Sequence, residues 1–164
     1  MSGSMQHYPF SAAPTLIGYL FQCRYALLAS LQRLCTGTQF LISLETLDDI
    51  VFERQGEPME LLQTKHHVSR AADLTDTSPD LWRTINVWCE ALSVSGLPQG
   101  SVFFLVTTST AARGSAASYL RMAKCGRDPT KAIERLNATA DSSTNKANQA
   151  AYAAYRSLSV EQKS

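Results

Sequence analysis

The chain has 164 residues, 45% of them hydrophobic and 18% charged, with a net charge of +1. That balance describes one ordinary folded domain with an appended piece. It excludes a disordered chain and a uniformly basic nucleic-acid binder.

No apolar run reaches the ~20 residues of a membrane span. The N-terminus lacks the basic-then-apolar order of a signal peptide. The four cysteines, Cys23, Cys35, Cys89 and Cys125, are far apart and make no zinc or disulfide pattern. A reduced, cytoplasmic protein without membrane contact is expected. The charge is unevenly spread. Ten of the fourteen acidic residues lie between Glu45 and Glu90, against four Lys or Arg, whereas Arg113 to Arg135 holds six basic residues and two acidic ones. Such segregation reads either as a cation site beside a phosphate site, or as solvated faces of opposite sign.

Residues 1–12 read as a flexible leader or a cloning scar before a native start at Met5. Pro14 suits the first turn of a helix, with Thr15 or Ser11 as its cap. Leu16, Leu20, Cys23, Leu27, Leu31 and Leu34 recur at helical spacing, which predicts a core-facing stripe ending near Thr36-Gly37. Gly18 and Gln22 share a face. Gln22 either reaches a neighbouring site or is simply exposed.

Gln39 to Leu44 is a near-continuous apolar run, which predicts a strand buried on both faces and delivering Glu45 at its end. A β-hairpin follows. Ile50-Val51-Phe52 and Leu61-Leu62-Gln63-Thr64 flank a turn at Gln55-Gly56-Glu57-Pro58. With a three-residue loop, Arg54 faces Pro58 and Asp49 sits opposite Gln63. Asp49, Gln63 and Lys65 then share one face. A slip of one residue would send Asp49 to the other face.

After a polar connection from His66 to Thr77, in which Leu74 dips into the core, Ser78-Pro79-Asp80 opens a helix. Its buried face is Leu81, Ile85, Trp88 and Leu92, and Gly96 stops it. Trp88 is expected in the core, while Trp82 is left open between core packing and base stacking. Val102 to Val106 predicts a central strand ending in the hydroxyl-rich run Thr107 to Thr110, which either donates to phosphate or caps the next helix. That helix is expected from Ala111 to Lys124. Asp128-Pro129 opens another, and Asn145 to Ser157 a last one resting on Ala151, Tyr152 and Tyr155.

Asp49 at the start of the second core strand, followed by Gln63-Thr64-Lys65 in the third, resembles the signature of the PD-(D/E)xK, or restriction-endonuclease-like, nucleases. The glutamine variant is similar to the Mrr-like branch. More closely, Gly18-Tyr19-Leu20-Phe21-Gln22, Leu44 to Ile50 and Leu62 to His66 resemble the nuclease domains of bacterial anti-phage effectors. Those are double-stranded DNA endonuclease modules attached to nucleotide-sensing domains in cyclic-oligonucleotide signalling systems. The resemblance spans Gly18 to Thr108.

It implies an α/β fold, an α-β-β-β-α-β mixed sheet flanked by helices, over residues 13–127. Residues 128–164 would be a helical extension leading to a further domain. It also implies a metal-dependent endonuclease acting on double-stranded DNA, in a homo-oligomer or larger effector assembly. Mg²⁺ or Mn²⁺ would be held by Asp49 as main ligand and by the amide of Gln63, with Glu45 or Asp48 helping. Asp49 is preferred over Asp48 because it directly precedes the apolar strand. Lys65 would orient the attacking water or stabilise the transition state. Gln22 would support the site, and His67, Arg70 and Thr108 would contact nucleic acid. His66 and His67, adjacent in an extended segment, point opposite ways and cannot easily share one metal. The alternative is a catalytically silent nucleic-acid-binding or assembly module of the same fold.

Overall fold

The computed structural model describes residues 13–66, 73–94, 97–98, 100–122 and 124–163. The chain begins with α1 (Ala13–Leu34), β1 (Leu41–Leu44), β2 (Ile50–Arg54), β3 (Glu57–Lys65) and β4 (Asp73–Leu74). Next come α2 (Pro79–Val94), β5 (Val102–Thr107) and β6 (Thr110–Ala111). Helices α3 (Ala116–Tyr119), α4 (Pro129–Ser142), α5 (Gln149–Ser157) and α6 (Val160–Lys163) close it. Strands β1, β2 and β3 form an antiparallel meander, and β5 joins β3 in parallel, giving the order β1-β2-β3-β5. A parallel neighbour needs a long crossover, and α2 supplies it. The protein is α/β, with a mixed four-stranded sheet flanked by helices. No helix among the described residues is long and apolar enough to cross a membrane.

Strand alternation divides the sheet into two faces. Ile50, Phe52 and Leu62 pack with Ala26 and Ala29 of α1, joined by Phe104 and Val106. Arg33 fastens the end of α1 to the same face: its guanidinium lies 3.8 Å above the Phe52 ring and pairs with Glu60. The opposite face carries Val51, Leu61, Gln63 and Lys65, with Phe103, Leu105 and Thr107 from β5. There Trp88 of α2 packs on Phe103, ring centroids 5.4 Å apart. On its other side α2 meets a second core, in which Leu81, Trp82, Ile85 and Cys89 pack with residues of α4 and α5. Residues of the C-terminal stretch, including Leu136, Tyr152 and Tyr155, therefore share a core with α2.

Several expectations are corrected. The leucine stripe of α1 does not face the core. Leu16, Leu20, Leu27, Leu31 and Leu34 are all more than half exposed, and Gln22, Ala26 and Ala29 face the sheet instead. Small residues let the helix axis approach the sheet closely, and leucines on that side would hold it off. The run at Gln39 to Leu44 is not buried on both faces: β1 is an edge strand with Leu41 and Ile42 exposed. Nor is β5 central; it forms the other edge among the described strands.

The helix expected from Ala111 to Lys124 shrinks to α3. Thr110–Ala111 instead pairs in parallel with β4, which lies inside the expected polar connection. Gly114, at φ 75°, turns the chain there, and Ser115 caps α3 by accepting from the Ser118 N–H. Leu74 does enter the core. The open question on Trp82 resolves to core packing, and Trp88, expected in the core, lies at its margin. Trp82 is fully buried, edge-on to Tyr152 and Tyr155 at 4.5 and 5.6 Å, whereas Trp88 is only partly buried. Gly96 lies outside the described residues.

The hairpin turn is also shorter than expected. Arg54 pairs with Glu57 around a two-residue turn, with positive φ at Gln55 (54°) and Gly56 (84°), the combination a tight primed turn requires. A bulge between Phe52 and Glu53 then adds one residue on the β3 side. The two departures cancel. Ile50 faces Leu62, the register that the three-residue loop predicts, and Asp49 comes level with Gln63.

Candidate functional site

The polar residues gather where β3 and β5 end and β2 begins. Between β1 and β2 the chain reverses through residues 45–49. Glu45 takes a φ of 56°, a left-handed conformation that few side-chain-bearing residues adopt. Its N–H donates to the Asp49 carbonyl at 3.2 Å. Gln22 Nε2 donates to that same carbonyl. Gln22 is 3% exposed, so α1 reaches under the loop and holds its last residue.

Two neighbouring carboxylates emerge from this loop. Asp48 is buried. Its Oδ1 accepts from the Asp49 N–H at 2.9 Å, and its Oδ2 accepts from Trp88 Nε1 at 3.1 Å. Burial pushes its pKa up to about 6; the two hydrogen bonds pull it down, the Asp49 charge adds to the rise, and the Lys65 charge opposes it. Asp49 turns its carboxylate toward β3. Its Oδ2 accepts from both the N–H and the Oγ1 of Thr64, each at 2.7 Å. Thr64 belongs by alternation to the α1-side face with Leu62, so the Asp49 carboxylate does not share the Gln63/Lys65 face as expected; it is held at the strand edge by Thr64, although its backbone is level with Gln63.

Gln63 and Lys65 share the α2-side face by alternation, Gln63 buried and Lys65 partly so. Thr107 is level with Lys65 on that face, and the Thr108 N–H donates to the Lys65 carbonyl at 3.2 Å. Asp48 therefore lies in range of the Asp49 and Lys65 charges, beside the end of β5, with Gln63 on the same face of β3 as Lys65. Glu45 does not join them in the same way. It is exposed, and its charge acts on the Tyr19 hydroxyl of α1, whose pKa is raised chiefly by a hydrogen bond with Cys23. His66 stacks on Phe21 at 4.7 Å. His67 and Arg70 lie outside the described residues, and Thr108 is exposed. Trp88 is the member that the sequence did not point to, because its helical spacing marked it as core.

Among the described residues, no three His, Cys, Asp or Glu side chains gather into a metal cage. The oxygen donors at this end of the sheet are the neighbouring carboxylates of Asp48 and Asp49, with the Gln63 amide on the Lys65 face of β3. That set suits Mg²⁺, which needs one or two carboxylates and takes waters and phosphate for the rest. A second carboxylate beside the buried Asp48 is a repulsion that a cation would relieve.

The basic stretch is largely occupied internally. Arg121 donates to the Ser118 carbonyl, and Arg127 to those of Leu120 and Arg121. Lys131 pairs with Asp128 at 2.9 Å, and Arg135 with Asp76 at 2.5 Å. Four of its six cations are thus tied to the chain itself, which favours the reading of structural charge over a phosphate site.

No protein family, curated protein or solved structure matches the chain.

Proposed function

We propose that this chain is a metal-dependent endonuclease domain that cuts double-stranded DNA, acting in the cytoplasm as the effector part of a bacterial anti-phage defence protein. Its core would be of the restriction-endonuclease-like kind, to which the order helix, three antiparallel strands, helix, parallel strand is similar. One observation carries the reading: the adjacent carboxylates of Asp48 and Asp49, leading into β2, lie at the end of β3 that carries Gln63 and Lys65, with Asp48 in range of the Lys65 charge and Asp49 bonded to Thr64.

Asp49, the Gln63 amide oxygen and Asp48 would hold Mg²⁺ or Mn²⁺. When bound, such an ion would supply Lewis acidity to a phosphoryl oxygen and lower the pKa of a water. Lys65 would present its ammonium donors to the oxygens that gain charge as the phosphodiester opens. Gln22 and the Glu45 N–H fix the Asp49 backbone, so that its carboxylate starts from one position. Trp88 holds Asp48 and shields it from water.

The tie between Asp49 and Thr64 favours a second reading, a silent nucleic-acid-binding or assembly module, since that carboxylate is already satisfied in part. Plasmid degradation by the 164-residue chain with Mg²⁺, compared with Lys65→Ala, separates the two. The enzyme reading expects cleavage that falls by about 10²–10³-fold in the variant. Equal cutting by both proteins removes Lys65 from the chemistry. Duplex binding without cutting, in both, supports the module.

A further inference from the structure

The outer face of α1 is unusual for a helix packed on a sheet. Leu16, Leu20, Leu27, Leu31 and Leu34 are each 51–62% exposed, with Tyr19 beside them. At 3.6 residues per turn these five leucines fall within about 60° of arc, well away from the Gln22, Ala26 and Ala29 face. Leu20, Leu27 and Leu34 are seven apart; the neighbouring position carries Leu16, Cys23 and then Ser30, whose hydroxyl donates to the Ala26 carbonyl while Leu31 lies beside it. That is the alternation of a coiled-coil seam. Of the two charged residues on α1, Arg33 is paired with Glu60 on the inner side, and Arg24 lies on the flank of the seam.

We infer that two copies of this chain associate through α1, seam against seam. Three observations select a second copy as the occupant. A heptad seam is completed by another heptad seam, and an identical chain presents one by symmetry. The stripe carries no charge that would specify an oppositely charged partner. Its area is also sufficient. Six large side chains about half exposed or more offer on the order of 500–600 Å² of apolar surface. That lies at the top of the roughly 300–600 Å² patches that monomers leave open and approaches the ~800 Å² per partner of a standard interface once flanking atoms are counted. Nothing in this inference draws on the proposed chemistry of the polar site.

Sedimentation equilibrium of the 164-residue chain, from about 5 to 100 µM to bracket a micromolar Kd, tests it. The expected result is twice the chain mass for the native sequence and the single mass for Leu20→Glu/Leu27→Glu. Mixing that variant with Leu20→Lys/Leu27→Lys should restore a dimer of one of each. Both positions are exposed, so helicity by circular dichroism should not change. A native chain that stays monomeric at about 100 µM overturns the inference, as does a dimer that survives either double substitution. Should one variant unfold, the native mass and the other variant still decide.

Discussion

The indole N–H of Trp88 donates to the Asp48 carboxylate at 3.1 Å, across 40 positions of sequence. This bond ties the crossover helix α2 to the loop that leads into β2. It also places a fluorophore on a carboxylate whose pKa is pushed up to about 6.

Asp48 makes stability depend on pH and, on the proposed nuclease reading, would do the same for metal binding. Its pKa rises from 3.8 to about 6 on folding, so the native chain holds that proton more tightly than the unfolded one. Its contribution to stability is then complete below about pH 4 and is lost as pH rises through about 6, by on the order of 3 kcal/mol. Urea midpoints between pH 4 and 7, followed with Trp88 emission, should show that fall and a spectral change near pH 6. Mn²⁺ affinity should move the other way, strengthening with pH over the same interval, because a ligand carboxylate must be ionised. Trp88→Phe removes a donor that favours the charged form and should shift the titration further upward.

Gln22→Leu keeps the volume of the side chain but withdraws its hydrogen bond from the Asp49 carbonyl. A loss of about 1–2 kcal/mol is expected in urea denaturation. If the nuclease reading holds, cleavage should drop at least about tenfold while duplex affinity stays level, since Gln22 acts through the Asp49 backbone. A variant with native stability would show that the bond does not hold the loop.

Trp82, not Trp88, should dominate the stability of the helical half. Trp82→Ala empties a fully buried position between Tyr152 and Tyr155 and should cost about 3–5 kcal/mol. Trp82→Phe should cost less, through the lost bond from Nε1 to the Asp76 carbonyl. Trp88→Ala, at a partly exposed position, should cost less than Trp82→Ala. The reverse order in denaturant midpoints would contradict the packing described above.

Thiol reactivity should separate the cysteines by depth. Cys35 and Cys125 are exposed and should label rapidly at neutral pH. Cys89 is buried, and burial pushes its thiol up to about 11, so it should react only as the chain unfolds. Mass spectrometry of briefly alkylated protein reads this directly. Early labelling of Cys89 would mean that the core between α2 and the C-terminal helices opens readily.

Local chemistry was legible wherever it is settled by neighbours in sequence. Asp128-Pro129 starts α4, and the Asp128 Oδ1 accepts the Lys131 N–H as a cap should. Gly37, at φ 70°, follows α1 in the expected turn. The Gln63/Lys65 pairing needs only strand alternation. The hairpin register came out level at Asp49 although both its turn and its bulge were missed, because one extra residue compensated for one too few.

What could not be read was which apolar surface meets which. Hydrophobic spacing shows that α1 has a leucine face, but does not say that the sheet takes the alanine and glutamine side. Close approach to the sheet decides that, and it is a property of the assembled layers. The same limit left Trp82 open and set Trp88 too deep: both lie on α2, and only the arrival of α5 from 70 residues further on makes Trp82 the centre of a core. Residues within a few positions of each other determined turns, caps and faces by covalent geometry. Contacts across long loops decided burial, because excluding water from a surface requires a second surface that no local stretch of sequence contains.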